Sequence, residues 1–245
     1  MTQNSASSAN RSIQIGGNVS GATIVSGNNN TVTNQSSTVA SSSSSAEPEK
    51  RKLLLLAANP QDSTRARLDE EVRDISEGLQ RSRHRDSFEI TQRWAVRPRD
   101  FQRAMLEELP QIVHFSGHSK GDTGLYFEND LCQSAPVSSA ALASLFQLFA
   151  KRARIECVVL NGCYSQAQAE AIVVHVPFVV GVPSAASAPP EKDTCRRAAI
   201  EFAVGFYDAL GSGEPIDFAF ESGKVSMALS GVGSEDTPLL LTQSA

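Results

Sequence analysis

The stretch IVHFSGHSKGDTGLYF, residues 112–127, carries four β-prone residues into Ser-Gly-His-Ser, then Gly-Asp-Thr-Gly, then a second short apolar run. It reads as a buried strand ending in a glycine turn that holds a histidine, followed by a hairpin strand. Similar strands recur on both sides. LLLLAA, residues 53–58, is continuously apolar and stops at Asn59-Pro60, so it reads as a strand buried on both faces. FEITQRWAV (88–96), IECVVLNG (155–162) and PFVVGV (177–182) are further strands. Between them lie helical patterns. Leu68, Val72, Ile75 and Leu79 form an apolar stripe that Asp62 or Ser63 can cap, with Asp69–Arg73 and Glu77–Arg81 as surface pairs. A short helix follows Pro98, and SSAALASLFQLFAKRA, SQAQAEAIVVH and DTCRRAAIEFAVGFYDALGSG are three more, the last with Asp193 or Thr194 near its cap and Gly211 just past its end. Strands alternating with helices predict an α/β fold, a three-layer sandwich with a mostly parallel central sheet flanked by helices.

Residues 1–50 differ. They hold no aromatic residue, so they cannot offset the entropy of ordering and read as a largely disordered tail. Within it RSIQIGGNVSGATIVSGNNNTVT, residues 11–33, alternates β-branched with polar residues and has Gly and Asn at turn positions. This predicts a short β motif that stacks on similar copies through backbone pairing and Asn ladders. Residues 34–50 are a Ser-rich flexible linker, and 51–245 form the folded domain.

Composition narrows the function. The chain of 245 residues has 22 Lys+Arg against 27 Asp+Glu, a net charge of -5 and a pI near 5.4, which offers no footprint for nucleic acid. No apolar run reaches the ~20 residues of a membrane span, and the N-terminus lacks a secretion signal. The four cysteines, Cys132, Cys157, Cys163 and Cys195, fit no metal pattern and are too few for a disulfide scaffold, so free thiols in a reducing cytoplasm are the expectation, with no cofactor. A nucleotide-binding sheet is disfavoured because the turn after the first strand is Asn59-Pro60-Gln61-Asp62, without a phosphate-cradling glycine motif.

In open α/β sheets, ligands bind beyond the carboxyl ends of the strands. Two such ends carry reactive groups: His118 after QIVHFSG and Cys163 after IECVVLNG. A hairpin and a helix separate them, enough chain to set their strands side by side in parallel. Gly117 and Gly162 remove bulk beside each group. Cys163 runs into a helix, whose N-terminus would favour a thiolate and supply N–H groups to an oxyanion. The pattern suits a Cys–His dyad, with a thiolate nucleophile and an imidazole as its proton partner. Taken singly, the bland reading of each is a packed cysteine and a turn histidine. His114 reads as a packing or supporting residue in its strand, and Cys157 as core. His84 and His175 read as structural. Cys132 and Cys195 pair with no base. Asp122 is either a turn residue or a substrate contact, and Ser165 is a second candidate contact.

Residues 53–241 resemble the CHAT domain, a caspase-like peptidase family related to caspases, metacaspases and separases. The resemblance rests on LLLLAANP, RLDEEVRDISEGL, QRWAVRPRDFQRAML, PQIVHFSGHSKGDTGLYFE, CVVLNGCYS, QAEAIVVHVPFVVGV and AAIEFAVGFYDALG. It implies His118 as the catalytic histidine, Cys163 as the nucleophile of acyl transfer and hydrolysis, and backbone N–H groups at Gly117 and at Gly162–Cys163 as oxyanion donors. Ser119 departs from the glycine that commonly follows the histidine. Asn161 stands where metacaspases carry an Asp that binds a basic side chain; it remains a candidate substrate contact, but Arg/Lys specificity does not carry over. The segment 183–197 reads as a loose activation or substrate loop. The island at 11–33 resembles the Gly/Asn-rich amyloid-like signalling motifs of microbial immune effectors, which implies a receptor or self-assembly as partner. Two functions follow: a cysteine endopeptidase cleaving protein substrates after assembly, in prokaryotic immunity or cell death, or a catalytically silent signalling module of the same fold.

Overall fold

A computed structural model describes residues 50–63, 67–119, 123–183, 192–232 and 237–244. The chain divides into Met1–Ala46 and Glu47–Ala245, and every described residue belongs to the second unit. The motif expected at 11–33, residues 34–49 of the linker and Asp122 lie outside the described residues.

The central sheet has the order β2-β1-β3-β7-β8-β9, from β1 (Arg51–Ala57), β2 (Phe88–Trp94), β3 (Ile112–Ser116), β7 (Cys157–Asn161), β8 (Phe178–Gly181) and β9 (Leu239–Thr242). All pairings are parallel except β8–β9. A second sheet joins β4 (His118–Ser119), β5 (Leu125–Glu128) and β6 (Ser134–Val137) in antiparallel order. The sandwich inferred from alternating patterns is therefore present.

Side-chain alternation builds its layers. Leu54, Leu56, Val113, Phe115, Val158 and Leu160 point to one face, where α2 (Pro98–Glu108), α3 (Ser139–Ala150) and α4 (Gln166–Ile172) close the core with Phe101, Phe146 and Ile172. Leu53, Leu55, Ile112, Cys157 and Val159 point to the other, under α1 (Leu68–Arg81), α5 (Lys192–Gly211) and α6 (Ile216–Leu229). Each fully buried leucine contributes about 2 kcal/mol of transfer free energy, so four in succession make β1 a core strand that needs helices on both sides.

Several local expectations are corrected. Asp62 does not cap α1: its carboxylate accepts from the Ser134 amide and hydroxyl at 2.8 and 2.7 Å, and Ser63 bonds Pro60 O. The helix opens after Arg67 without a side-chain cap, and Asp69, Glu70 and Glu71 supply negative charge in its first turn. Arg73 bonds its neighbour Asp74. Helix α5 already runs from Lys192, so residues 192–197 are helical instead of looped, and Asp193 and Thr194 fall inside its first turn. Gly211 ends α5; Gly213 is the residue with φ of +93°. Helix α6 and strand β9 were not among the predicted elements. The helix packs so closely on α5 that a Cβ at Gly223 would lie 2.7 Å from the Phe202 ring.

Candidate active site

Strands β3 and β7 are adjacent and parallel, with Ser116 paired to Asn161 on their last rung. His118 and Cys163 each follow that rung by two residues. The turns between are forced to be small. A Cβ at Gly162 would lie 3.0 Å from Gly117 O and 3.7 Å from the His118 carbonyl carbon; one at Gly117 would lie 2.9 Å from the Phe115 ring and 3.0 Å from Ala58 O. The two residues singled out in the sequence thus sit on neighbouring turns of one rim. Both are partly exposed. We expect Gly162→Ala to displace the His118 turn, since its Cβ would press on Gly117 O, while the urea midpoint moves little; a shift of the His118 ring signals in NMR spectra beside a denaturation curve checks both.

His118 is fixed by β4, where it pairs with Tyr126, and Ser119 pairs with Leu125. Ser119 is therefore extended, a conformation any residue adopts, so a glycine is not required there. Cys163 lies in a turn with Tyr164, whose φ is +66°. Helix α4 begins only at Gln166 and has 7 residues. Cys163 is therefore set further from a helix terminus than expected, and the terminus is short.

Beneath the rim lies a buried polar network. The Asn161 amide donates to Glu71 Oε1 at 2.5 Å and to Ala199 O at 2.9 Å. His114 Nε2 lies 2.8 Å from the same Glu71 oxygen and 2.9 Å from Ser116 Oγ, and its Nδ1 lies 3.1 Å from the Tyr207 hydroxyl. A carboxylate only accepts, so Nε2 carries the hydrogen and the Tyr207 hydroxyl donates to Nδ1 in the neutral ring. Burial pushes the Tyr207 hydroxyl well above the ordinary tyrosine range, which keeps it a donor. The network ties α1 and α5 to the last residues of both strands. His114 is thus packed within its strand and held by this network, in keeping with a packing or supporting residue. Ser165 is fully buried; its hydroxyl donates to Leu160 O and accepts from the Val182 amide, each at 3.0 Å. The Asn161 amide and the Ser165 hydroxyl are both engaged within the fold.

The expectation of free thiols is corrected for two of the four cysteines. Cys163 is disulfide-bonded to Cys195, 32 residues on, in the first turn of α5. Ala199, one turn further along α5, receives the Asn161 amide, so the start of that helix is anchored at the end of β7. Cysteine counting cannot reveal such an adjacency. Cys132 is free and exposed; Cys157 is free and buried, and burial pushes its thiol up to about 12. Three participants escaped sequence reasoning: Glu71, Tyr207 and Cys195.

Comparison with known proteins places this geometry. A family model for the CHAT domain matches residues 20–233. The chain belongs to the CHAT domain family. A "Probable protease" of Gillisia limnaea is 26% identical over 163 residues, covering 66% of this chain and 27% of that protein. A "Roc-COR-CHAT protease" from an unknown prokaryotic organism is 32% identical over 132 residues, covering 52% of this chain and 12% of that protein. The chain thus spans about a quarter or less of these relatives. Among solved structures, a secreted C11 cysteine protease from Bacteroides thetaiotaomicron, bound to an irreversible peptide inhibitor, superposes with a TM-score of 0.53 at 9% identity. The match covers 79% of this chain and 66% of that one. It shows that the CHAT domain here shares the fold of a cysteine protease. Among the described residues no helix is long and apolar enough to cross a membrane.

Proposed function

We propose that this CHAT domain is a cysteine endopeptidase whose reduced form uses Cys163 as nucleophile and His118 as its proton partner. The observation that carries the reading is the shared last rung of β3 and β7, which delivers both residues to adjacent glycine turns. The protease names of two relatives and the C11 fold support it. The thiolate attacks the scissile carbonyl carbon. Backbone N–H groups at Gly117 and Gly162–Cys163 stabilise the oxyanion. His118 gives its proton to the leaving amine, and water then hydrolyses the thioester. Substrates are proteins, and assembly through residues 11–33 activates the chain as an effector in prokaryotic immunity or cell death. To test this, reduced protein and Cys163→Ala are incubated with a proteome-derived peptide library. New cleavage products with the parent alone support the reading; equal digestion by both sinks it.

One observation favours a second reading, a caspase-like signalling module without catalysis: the Cys163 sulfur is bonded to Cys195. An inert Cys163 in the fully reduced chain would favour that alternative.

A further inference from the structure

We propose that Cys195 is a resolving cysteine, and that Cys163 and Cys195 form a reversible oxidation site that silences the peptidase. The inference rests on the reading of Cys163 as nucleophile. Two features of the structure set this pair apart. Cys195 is on a helix held against the end of β7 through Asn161 and Ala199 O, so its sulfur is delivered to the catalytic turn by a fixed element. The bond is also selective, because exposed Cys132 and buried Cys157 remain free. While the disulfide exists, Cys163 has no thiolate to attack a carbonyl.

The chemistry takes a peroxide as oxidant. The Cys163 thiolate attacks one peroxide oxygen; an S–O bond forms, the O–O bond breaks, and hydroxide leaves. The resulting sulfenic acid is attacked by the Cys195 sulfur. The S–S bond forms, the S–O bond breaks, and the hydroxyl departs as water with the Cys195 proton. The two thiols have lost two electrons, and the peroxide has gained them. A dithiol reverses the step: one of its sulfurs opens the bond through a mixed disulfide, its second closes on the first, and both protein thiols are regenerated as the reductant leaves oxidised. Trapping Cys163 in this way spares it from the sulfinic state, which thiols do not reduce.

The test uses the full chain and Cys195→Ser. Each is reduced with dithiothreitol, desalted, exposed to hydrogen peroxide and returned to dithiothreitol. At each stage, non-reducing peptide mapping is paired with labelling by a peptidyl acyloxymethyl ketone. The parent should gain a linked Cys163–Cys195 peptide and lose at least tenfold in labelling rate, and dithiothreitol should restore both. Cys195→Ser should label when reduced, then lose labelling permanently as Cys163 becomes sulfinic acid. If no linked peptide forms and Cys163 labelling survives peroxide, the proposal is overturned and the peptidase reading stands. If the linked peptide forms and reverses while reduced Cys163 never labels, the redox pair stands and the peptidase reading fails.

Discussion

Replacing His118 with alanine in the reduced protein should lower kcat/KM for peptide cleavage by roughly 10³- to 10⁴-fold, with the fold intact. The magnitude follows from what a proton partner supplies: without it the thiol must ionise unaided, and the leaving amine must depart unprotonated. Cys163→Ala should cost at least as much. The decisive feature is the pair of substitutions. Two residues that act as one unit are strongly non-additive, so His118→Ala with Cys163→Ala should be no slower than Cys163→Ala alone. Independent contributions would multiply. His118 lies in a two-residue strand at the edge of a small sheet and is partly exposed. Its truncation therefore leaves no large cavity, and circular dichroism and the urea midpoint should match the parent. Steady-state kinetics on a cleaved library peptide gives the rates.

The second large effect is on stability. Glu71→Ala should destabilise the domain by about 3–5 kcal/mol, because removing one member of a buried polar cluster leaves its partners desolvated and unpaired. Glu71 is 3% exposed, and its Oε1 serves both Asn161 and His114. The alanine variant abandons both donors and opens a cavity between α1 and the sheet. Glu71→Gln keeps an acceptor oxygen at nearly the same place and should lose much less. Because Ser116 and Asn161 head the turns that carry the proposed dyad, Glu71→Gln should leave KM near the parent's while kcat falls. Urea unfolding at fixed pH, read by fluorescence of the lone Trp94, measures the stability difference.

Much of this was legible in the sequence, for a physical reason. Strands covered on both faces are apolar without interruption, as in Leu53–Leu56, and amphipathic helices announce themselves by period, as in Leu68, Val72, Ile75 and Leu79. The placement of His118 and Cys163 on one rim was legible because glycine turns after buried strands mark the carboxyl ends of a parallel sheet. Helix α6 was not, since Gly223 and Lys224 interrupt its pattern; its fit on α5 depends on Gly205 and Gly223 giving close approach. Strand β9 breaks the alternation of strands and helices by returning antiparallel on β8. Glu71 was hidden in the acidic run Asp69-Glu70-Glu71, which looks like a helix surface. A signal did exist: position 71 lies three residues after Leu68 and four before Ile75, inside the apolar stripe. The Cys163–Cys195 bond left no trace, because its partners are separated by 32 residues and joined only by the docking of α5.

The most direct test of a Cys163–His118 dyad is the labelling rate of fully reduced, full-length protein by a peptidyl acyloxymethyl ketone, with the modified residue located by peptide mapping. The parent should be labelled at Cys163 with saturation kinetics, and His118→Ala should be labelled at Cys163 at least a hundredfold more slowly. Labelling of Cys163 at the same rate in both proteins, or modification of exposed Cys132 alone, would contradict the dyad.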